Sequence, residues 1–249
     1  MLYYQKDPLA KGGVPLKYKC LPQEVLKLIA CITMLLDHIG ATLFPYTLWL
    51  RVVGRLAFPI YAFLLYQGFR HTRSASKYLL RLGISMLLSE LPFDILFFGK
   101  FTWEHQSVMV TLLLSLMMVV SMDRIKLPAL KLLPIVPFAL LAELACTDYG
   151  GLGVLTVALF ALTDGIPYEK PVQLLGLLLL NYAFDSFSIY IFGLPIPIQL
   201  FAALAMIPIT LYSGRKLTHS RVLQWLFYAF YPAHLTALIV FILLFLLIY

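Results

Sequence analysis

Charge is scarce in this sequence. Only 12% of its 249 residues are Asp, Glu, Lys or Arg, against about 25% in an average soluble domain, while 61% are hydrophobic. That shortage excludes an ordinary soluble domain and points to a polytopic membrane protein with almost no length left for a soluble part. Cysteine is scarce too: Cys20, Cys31 and Cys146 show no metal-type spacing and read as small packing residues. No metal is expected. Acidic residues number 12 against 19 basic ones, a formal charge of +7. In a soluble protein that excess would suggest nucleic acid; here it reads as lysines and arginines retained in cytoplasmic loops, with no nucleic-acid partner. An apolar N-terminal core is also missing. The first 24 residues carry four lysines and three prolines, so no cleavable signal peptide is expected.

What the sequence does have is a series of apolar stretches. Residues 25–44 and 48–69 are each close to the ~20 residues that crossing a bilayer requires. Others fall at 78–98, 108–122, 132–146, 150–163, 172–191, 198–212 and 222–249, separated by polar or proline- and glycine-bearing loops. The pattern predicts an all-α integral membrane bundle of about nine transmembrane helices, with eight or ten left open because the stretches between 108 and 163 are short. It divides the chain into an irregular tail, 1–24, and a membrane domain, 25–249. Basic residues predict the orientation. With the N-terminus cytoplasmic, segments 1–24, 70–77, 123–131, 164–171 and 213–221 lie inside and hold four, three, three, one and three of the 19 basic residues. The outer loops hold only Lys100. The expectation is a multi-pass protein of the cell membrane. No internal repeat is evident, which weighs against a transporter built from inverted repeats.

A few ionisable residues nonetheless enter the apolar stretches: Asp37 and His38 side by side, Arg51 and Arg55, Arg81, Glu90 and Asp94, Asp185, and His234. Such groups are costly at membrane depth and mark working sites. Most fall in the outer half of the predicted bundle, so a shared polar chamber with His38 at its centre is expected. Arg51 and Arg55, Glu90 and Asp94, and Asn181 and Asp185 are spaced i,i+4 and share helix faces. Arginines beside acidic groups can neutralise one another, and a buried Arg55–Glu90 ion pair is one structural reading. Neighbours on a helix point about 100° apart, so Asp37 is a poor orienting partner for His38. Glu90, Asp94 and Asp148 are the options for that role. Pro92 and Pro232 should kink their helices. His71, His105 and His219 read as solvated loop residues, Asp164 and Glu169 as turn residues, and Gly150, Gly151 and Gly153 as a site of close helix packing.

Five motifs together carry a family resemblance: MLLDHIG (34–40), GRLAFPIYAFLLYQGFRHT (54–72), YLLRLGISMLLSELPFD (78–94), LYSGRK (211–216) and FYAFYPAHL (227–235). Over about residues 25–240 the chain resembles the TraX family. The resemblance implies a membrane acetyltransferase. That family is associated with N-terminal acetylation of conjugative pilin, and it is similar to the wider transmembrane acyltransferase group, which uses a histidine in an early span and acetyl-CoA from the cytoplasm.

Residue chemistry and resemblance combine into one expectation. Acyl transfer from a thioester requires the acceptor to lose a proton as it attacks, and a histidine suits that task. His38 is the expected general base, grouped with Asp37 and with Glu90 as the orienting carboxylate. Arg55, with Arg51, would stabilise the oxyanion or position the acceptor; Asp94, Tyr231 and His234 would face the substrate. Arg70, Arg73, Arg215 and Lys216 would hold the phosphates of coenzyme A. The acceptor, a peptide amine or a glycan hydroxyl, is not specified, and a homo-oligomer is left open. The rival from another class is a proton-coupled transporter using the same charges.

Overall fold

Pro22, in extended geometry, precedes α1 (Gln23–Thr42), where a missing amide deprives the helix of nothing. A computed structural model describes residues 19–184, 187–218 and 220–248. Residues 1–18 of the expected tail, Asp185, His219 and Tyr249 lie outside the described residues. The chain entering α1 is stitched to the segment before the last helix. Leu21 N–H donates to Leu211 O at 2.9 Å, Ser213 N–H to Leu21 O at 2.9 Å, and Gln23 N–H to Arg215 O at 2.8 Å.

The second apolar stretch is two helices in line, α2 (Leu48–Gly54) and α3 (Ala57–His71). Pro59 explains the break: lacking an N–H, it cannot bond the Arg55 carbonyl one turn earlier. Next comes α4 (Ala75–Phe98), capped by Ser74, whose hydroxyl accepts from Lys77 N–H at 3.3 Å, and ended by Gly99 at φ 69°, the left-handed conformation that glycine adopts freely. Then follow α5 (Val108–Arg124), a 3₁₀ turn at Pro128–Leu132, α6 (Ile135–Leu144), α7 (Gly150–Thr163) and α8 (Glu169–Ala183).

The expected helix over 172–191 is shorter than its apolar composition implies. It stops at Ala183, and β1 (Ser188–Ile191) pairs antiparallel with β2 (Leu194–Pro197). Phe192 and Gly193 take φ of 52° and 80°, the two positive angles of the tight hairpin turn whose twist matches the flanking strands. A 3₁₀ stretch (Ile198–Ala205), the short α9 (Met206–Thr210) and the long α10 (Arg221–Ile248) complete the described fold.

The architecture is therefore a helical bundle with one small hairpin among the described residues. α7 packs against α3, α5, α6 and α8, while α10 lies along α4 and also meets α1. Gly153 permits the α7 contact with α5: a Cβ there would sit 2.5 Å from Thr111 Cγ2. Leu26, Ile60, Leu116, Met118, Phe160 and Leu235 form the driest part of the core. Among the described residues three helical stretches are long and apolar enough to cross a membrane: Gln23–Thr42, Leu48–His71 and Val222–Ile248. Gly150–Thr163 and Ile198–Thr210 are shorter apolar helices. One face of α4 leaves Leu80, Ile84, Leu87, Leu91 and Ile95 exposed, an apolar stripe at helical spacing of the kind a bilayer covers.

Candidate functional site

Asp37 and His38 leave α1 in different directions and enter different clusters. The Asp37 carboxylate faces α2. Arg55 Nη2 lies 2.5 Å from both carboxylate oxygens, and Arg51 Nη1 lies 3.0 Å from Oδ2 and 3.0 Å from the Asp37 carbonyl. Arg55 Nη1 also donates to Gln199 Oε1 at 3.1 Å. Gly54 makes room for this clamp, since any Cβ there would collide with the Asp37 side chain. Both arginines expected beside the reacting groups are thus engaged by Asp37, and the Arg55–Glu90 pair is not formed. A buried carboxylate held by two guanidinium groups loses several kcal/mol if a partner is removed, so this cluster fixes α1 against α2.

His38 faces α10. Its Nδ1 lies 2.7 Å from His234 Nε2, and His234 Nδ1 lies 2.8 Å from the Phe230 carbonyl. The two rings stack with centroids 4.9 Å apart, and Phe97 and Tyr231 meet the His38 ring edge-on at 5.4 and 6.0 Å. A carbonyl only accepts, so His234 Nδ1 carries its proton. With neutral rings, His234 Nε2 is then the acceptor, and His38 Nδ1 is the donor. The lone pair of His38 falls on Nε2. The orienting partner is thus a histidine on α10 where a carboxylate was expected. Pro232 lies inside α10, and the Tyr228 carbonyl it leaves without a helical donor accepts the Ser85 hydroxyl at 3.0 Å.

The α4 carboxylates do other work. Glu90 accepts Ser107 N–H at 3.2 Å and the Ser107 hydroxyl at 2.5 Å, sitting at the start of α5 where a negative charge is favoured. Asp94, 1% exposed, accepts Thr102 N–H at 3.1 Å. Together they fasten the loop between α4 and α5. The same loop is pinned by Gln106 N–H to Cys146 O at 3.0 Å and by His105, 3.6 Å from Asp148. The Asp148 carboxylate is the main cause that pushes the His105 imidazole above its ordinary value. His105 is therefore a paired residue, and Asp148 belongs to it and not to His38.

A cavity of about 440 Å³ runs inside the bundle. At one end stand residues next to the basic loops, among them Lys27, His71, Arg73, Arg81, Lys216 and, with opposite charge, Glu24. At the other stand Met34, one turn before His38, with Met109 and Tyr231. Tyr231 packs edge-on against both histidines, so it stands between the cavity and the His38–His234 pair, neither member of which lines the cavity itself. Of the four residues expected to bind coenzyme A, Arg73 and Lys216 line this space. Arg215 does not, and Arg70 is paired with Asp164, which also accepts the Tyr66 hydroxyl at 3.2 Å. Lys27 and Arg81 line it without having been assigned a role from sequence. Their signal was there: basic residues inside apolar stretches, close to the polar ends. Among the described residues no group of three or more His, Cys, Asp or Glu side chains is placed to hold a metal ion.

Two curated proteins match short stretches of the chain, and one family model matches most of it. A stretch of 61 residues is 46% identical to "Probable fimbrial assembly protein FimC, serogroup H1" of Dichelobacter nodosus, covering 23% of this chain and 25% of that protein. A stretch of 41 residues is 44% identical to an uncharacterized protein of Rickettsia prowazekii (strain Madrid E), covering 16% of each. The matched stretches thus span a quarter or less of these curated relatives. No solved structure matches. The family described as TraX protein matches residues 22–242, a range that holds the ion clamp, the histidine pair and the cavity; the chain belongs to the TraX family.

Proposed function

We propose that this protein is a multi-pass membrane acyltransferase that takes an acetyl group from acetyl-CoA and passes it to an amine or hydroxyl beside the His38–His234 pair. The observation that carries this reading is the cavity, with a cationic mouth among the basic loops and Tyr231, which packs against both histidines, in its lining. An acyl-CoA has a matching shape: polyanionic at one end, with a long thin arm ending in the reactive thioester. From Gln23 to Met34, α1 rises about 16 Å at roughly 1.5 Å per residue, so the cavity has length for that arm. Arg73, Lys216, Lys27 and Arg81 would meet the phosphates. If the basic end faces the cytoplasm and the bundle crosses the membrane about nine times, the donor enters from inside and the acceptor arrives from outside.

In this reading His38 Nε2 takes the proton of the acceptor as the acceptor's lone pair forms a bond to the thioester carbonyl carbon. The carbonyl π electrons move to oxygen. When they return, the C–S bond breaks, and the coenzyme A sulfur leaves, recovering the proton from His38. His234 keeps His38 in the tautomer that can do this. Kinship with a fimbrial assembly protein, and the family's association with pilin, make a pilus-subunit amine the first acceptor to test. A proton-coupled carrier is less favoured, because Asp37 is held between two guanidinium groups rather than standing free to load a proton.

The test is coenzyme A release from acetyl-CoA by the purified protein in detergent, with His38→Ala alongside and acetyl-CoA binding recorded in both. Turnover by the wild type that is lost in the variant while binding persists is the expected result. A folded wild type that neither binds nor consumes acetyl-CoA would sink the proposal.

A further inference from the structure

The acyl-transfer reading leaves one requirement unmet by the geometry. Negative charge develops on the thioester oxygen, and a donor must stand ready for it. Arg55 and Arg51, the obvious cations, are engaged by Asp37. Tyr231 lines the cavity. Its side chain is 4% exposed, and its hydroxyl is buried with no hydrogen-bond partner. The neighbouring polar group is the Ser107 hydroxyl, which donates to Glu90 Oε1 at 2.5 Å and accepts from Met109 N–H at 3.3 Å. The Tyr231 ring sits edge-on to both histidines, 6.0 Å from the centroid of His38 and 5.4 Å from that of His234.

A buried donor without an acceptor is costly to the fold alone. A tyrosine whose only demand were packing would be served as well by phenylalanine. We infer that the Tyr231 hydroxyl is the oxyanion donor, a catalytic group that hydrogen-bonds the thioester carbonyl oxygen while His38 acts on the acceptor. This rests on the acyltransferase reading. The carbonyl carbon then lies between two groups held by separate helices, His38 on α1 and Tyr231 on α10. In the addition step the acceptor–carbon bond forms, the π pair goes to the oxygen facing Tyr231, and the acceptor proton goes to His38. In the collapse the pair returns and the C–S bond breaks. Tyr231 keeps its proton throughout, donating a hydrogen bond that strengthens as the oxygen becomes negative. Its neutral hydroxyl suits that task because it binds the charged oxygen without requiring a counter-charge in the bundle.

The experiment compares full-length wild type, Tyr231→Phe and His38→Ala in detergent, measuring acetyl-CoA turnover, binding of free coenzyme A and thermal unfolding. Tyr231→Phe should lower kcat on the order of 10²-fold. The KM for acetyl-CoA, coenzyme A binding and the melting temperature should stay close to wild type, because the missing hydroxyl makes no hydrogen bond to the protein. A wild type that turns over acetyl-CoA together with a Tyr231→Phe enzyme of equal kcat overturns the oxyanion role and leaves the acyltransferase reading standing. A folded wild type that neither binds nor turns over acetyl-CoA removes both.

Discussion

His38 and His234 lie 196 positions apart in the chain and share one hydrogen bond of 2.7 Å, whose direction is set by a third atom, the Phe230 carbonyl 2.8 Å from His234 Nδ1. That carbonyl decides the His234 tautomer, and His234 in turn decides which nitrogen of His38 is free. The relay needs no carboxylate.

His234 is therefore expected to behave as a positioning residue. His234→Phe keeps ring packing and removes the acceptor. It should lower kcat by about 10²-fold, within the range that general-base assistance contributes, with acetyl-CoA binding unchanged. His234→Gln, whose side-chain oxygen can accept from His38 Nδ1, should recover part of the loss. Equal activity in Phe and Gln variants would mean that His234 only fills space.

The clamp on Asp37 predicts an order of stability losses. Arg55 contacts both carboxylate oxygens and has the more buried side chain, 12% exposed against 22% for Arg51. Arg55→Ala should destabilise by about 3–5 kcal/mol, as breaking a buried pair does, and Arg51→Ala by less. Gly54→Ala should also destabilise, because its methyl group would displace the Asp37 carboxylate. Unfolding in detergent measures all three; a milder loss for Arg55→Ala than for Arg51→Ala would contradict this account of the clamp.

Charge at the cavity mouth should govern donor affinity. Arg73→Ala with Lys216→Ala is expected to raise the KM for acetyl-CoA about tenfold, roughly 1.4 kcal/mol, with kcat little changed. Arg70→Ala should leave KM alone, since Arg70 is paired with Asp164 outside the cavity lining. Steady-state kinetics at low and high salt would read this directly. An Arg70 effect as large as that of the double variant would move the binding site elsewhere.

The loop between α4 and α5 carries a pH dependence. His105 is raised above its ordinary value chiefly by the Asp148 carboxylate beside it. A raised imidazole contributes stability that is complete below its unfolded value, about pH 6.5, and is lost as pH rises through the higher folded value. Both side chains are more than a third exposed, so the contribution should stay under about 1 kcal/mol. Amide exchange in residues 99–107 should quicken as pH rises above about 6.5 beyond its intrinsic increase, and His105→Asn should abolish that excess. The same excess in the variant would assign it to another group.

Much of this protein follows from the order of its residues alone. The shortage of charge and the spacing of apolar runs are enough for an all-helical bundle with stretches able to cross a membrane, because hydrophobic length and helical periodicity are local properties. The five motifs are enough for the family. His38 and Asp37 were legible as unusual for the same reason: an ionisable side chain in an apolar run is conspicuous without its neighbours. What stayed hidden was partnership. The 100° offset between Asp37 and His38 told that they part company, but not that one meets Arg51 and Arg55 while the other meets His234. Glu90 and Asp94 shared a helix face with each other, yet their bonds go to Ser107 and Thr102 in a loop whose path no periodicity specifies. The hairpin at 188–197 was masked by its apolar composition and depends on two positive φ angles. Hydrogen bonds and ion pairs act over a few ångströms, so which groups share a bond is decided only when α1, α4 and α10 are brought side by side.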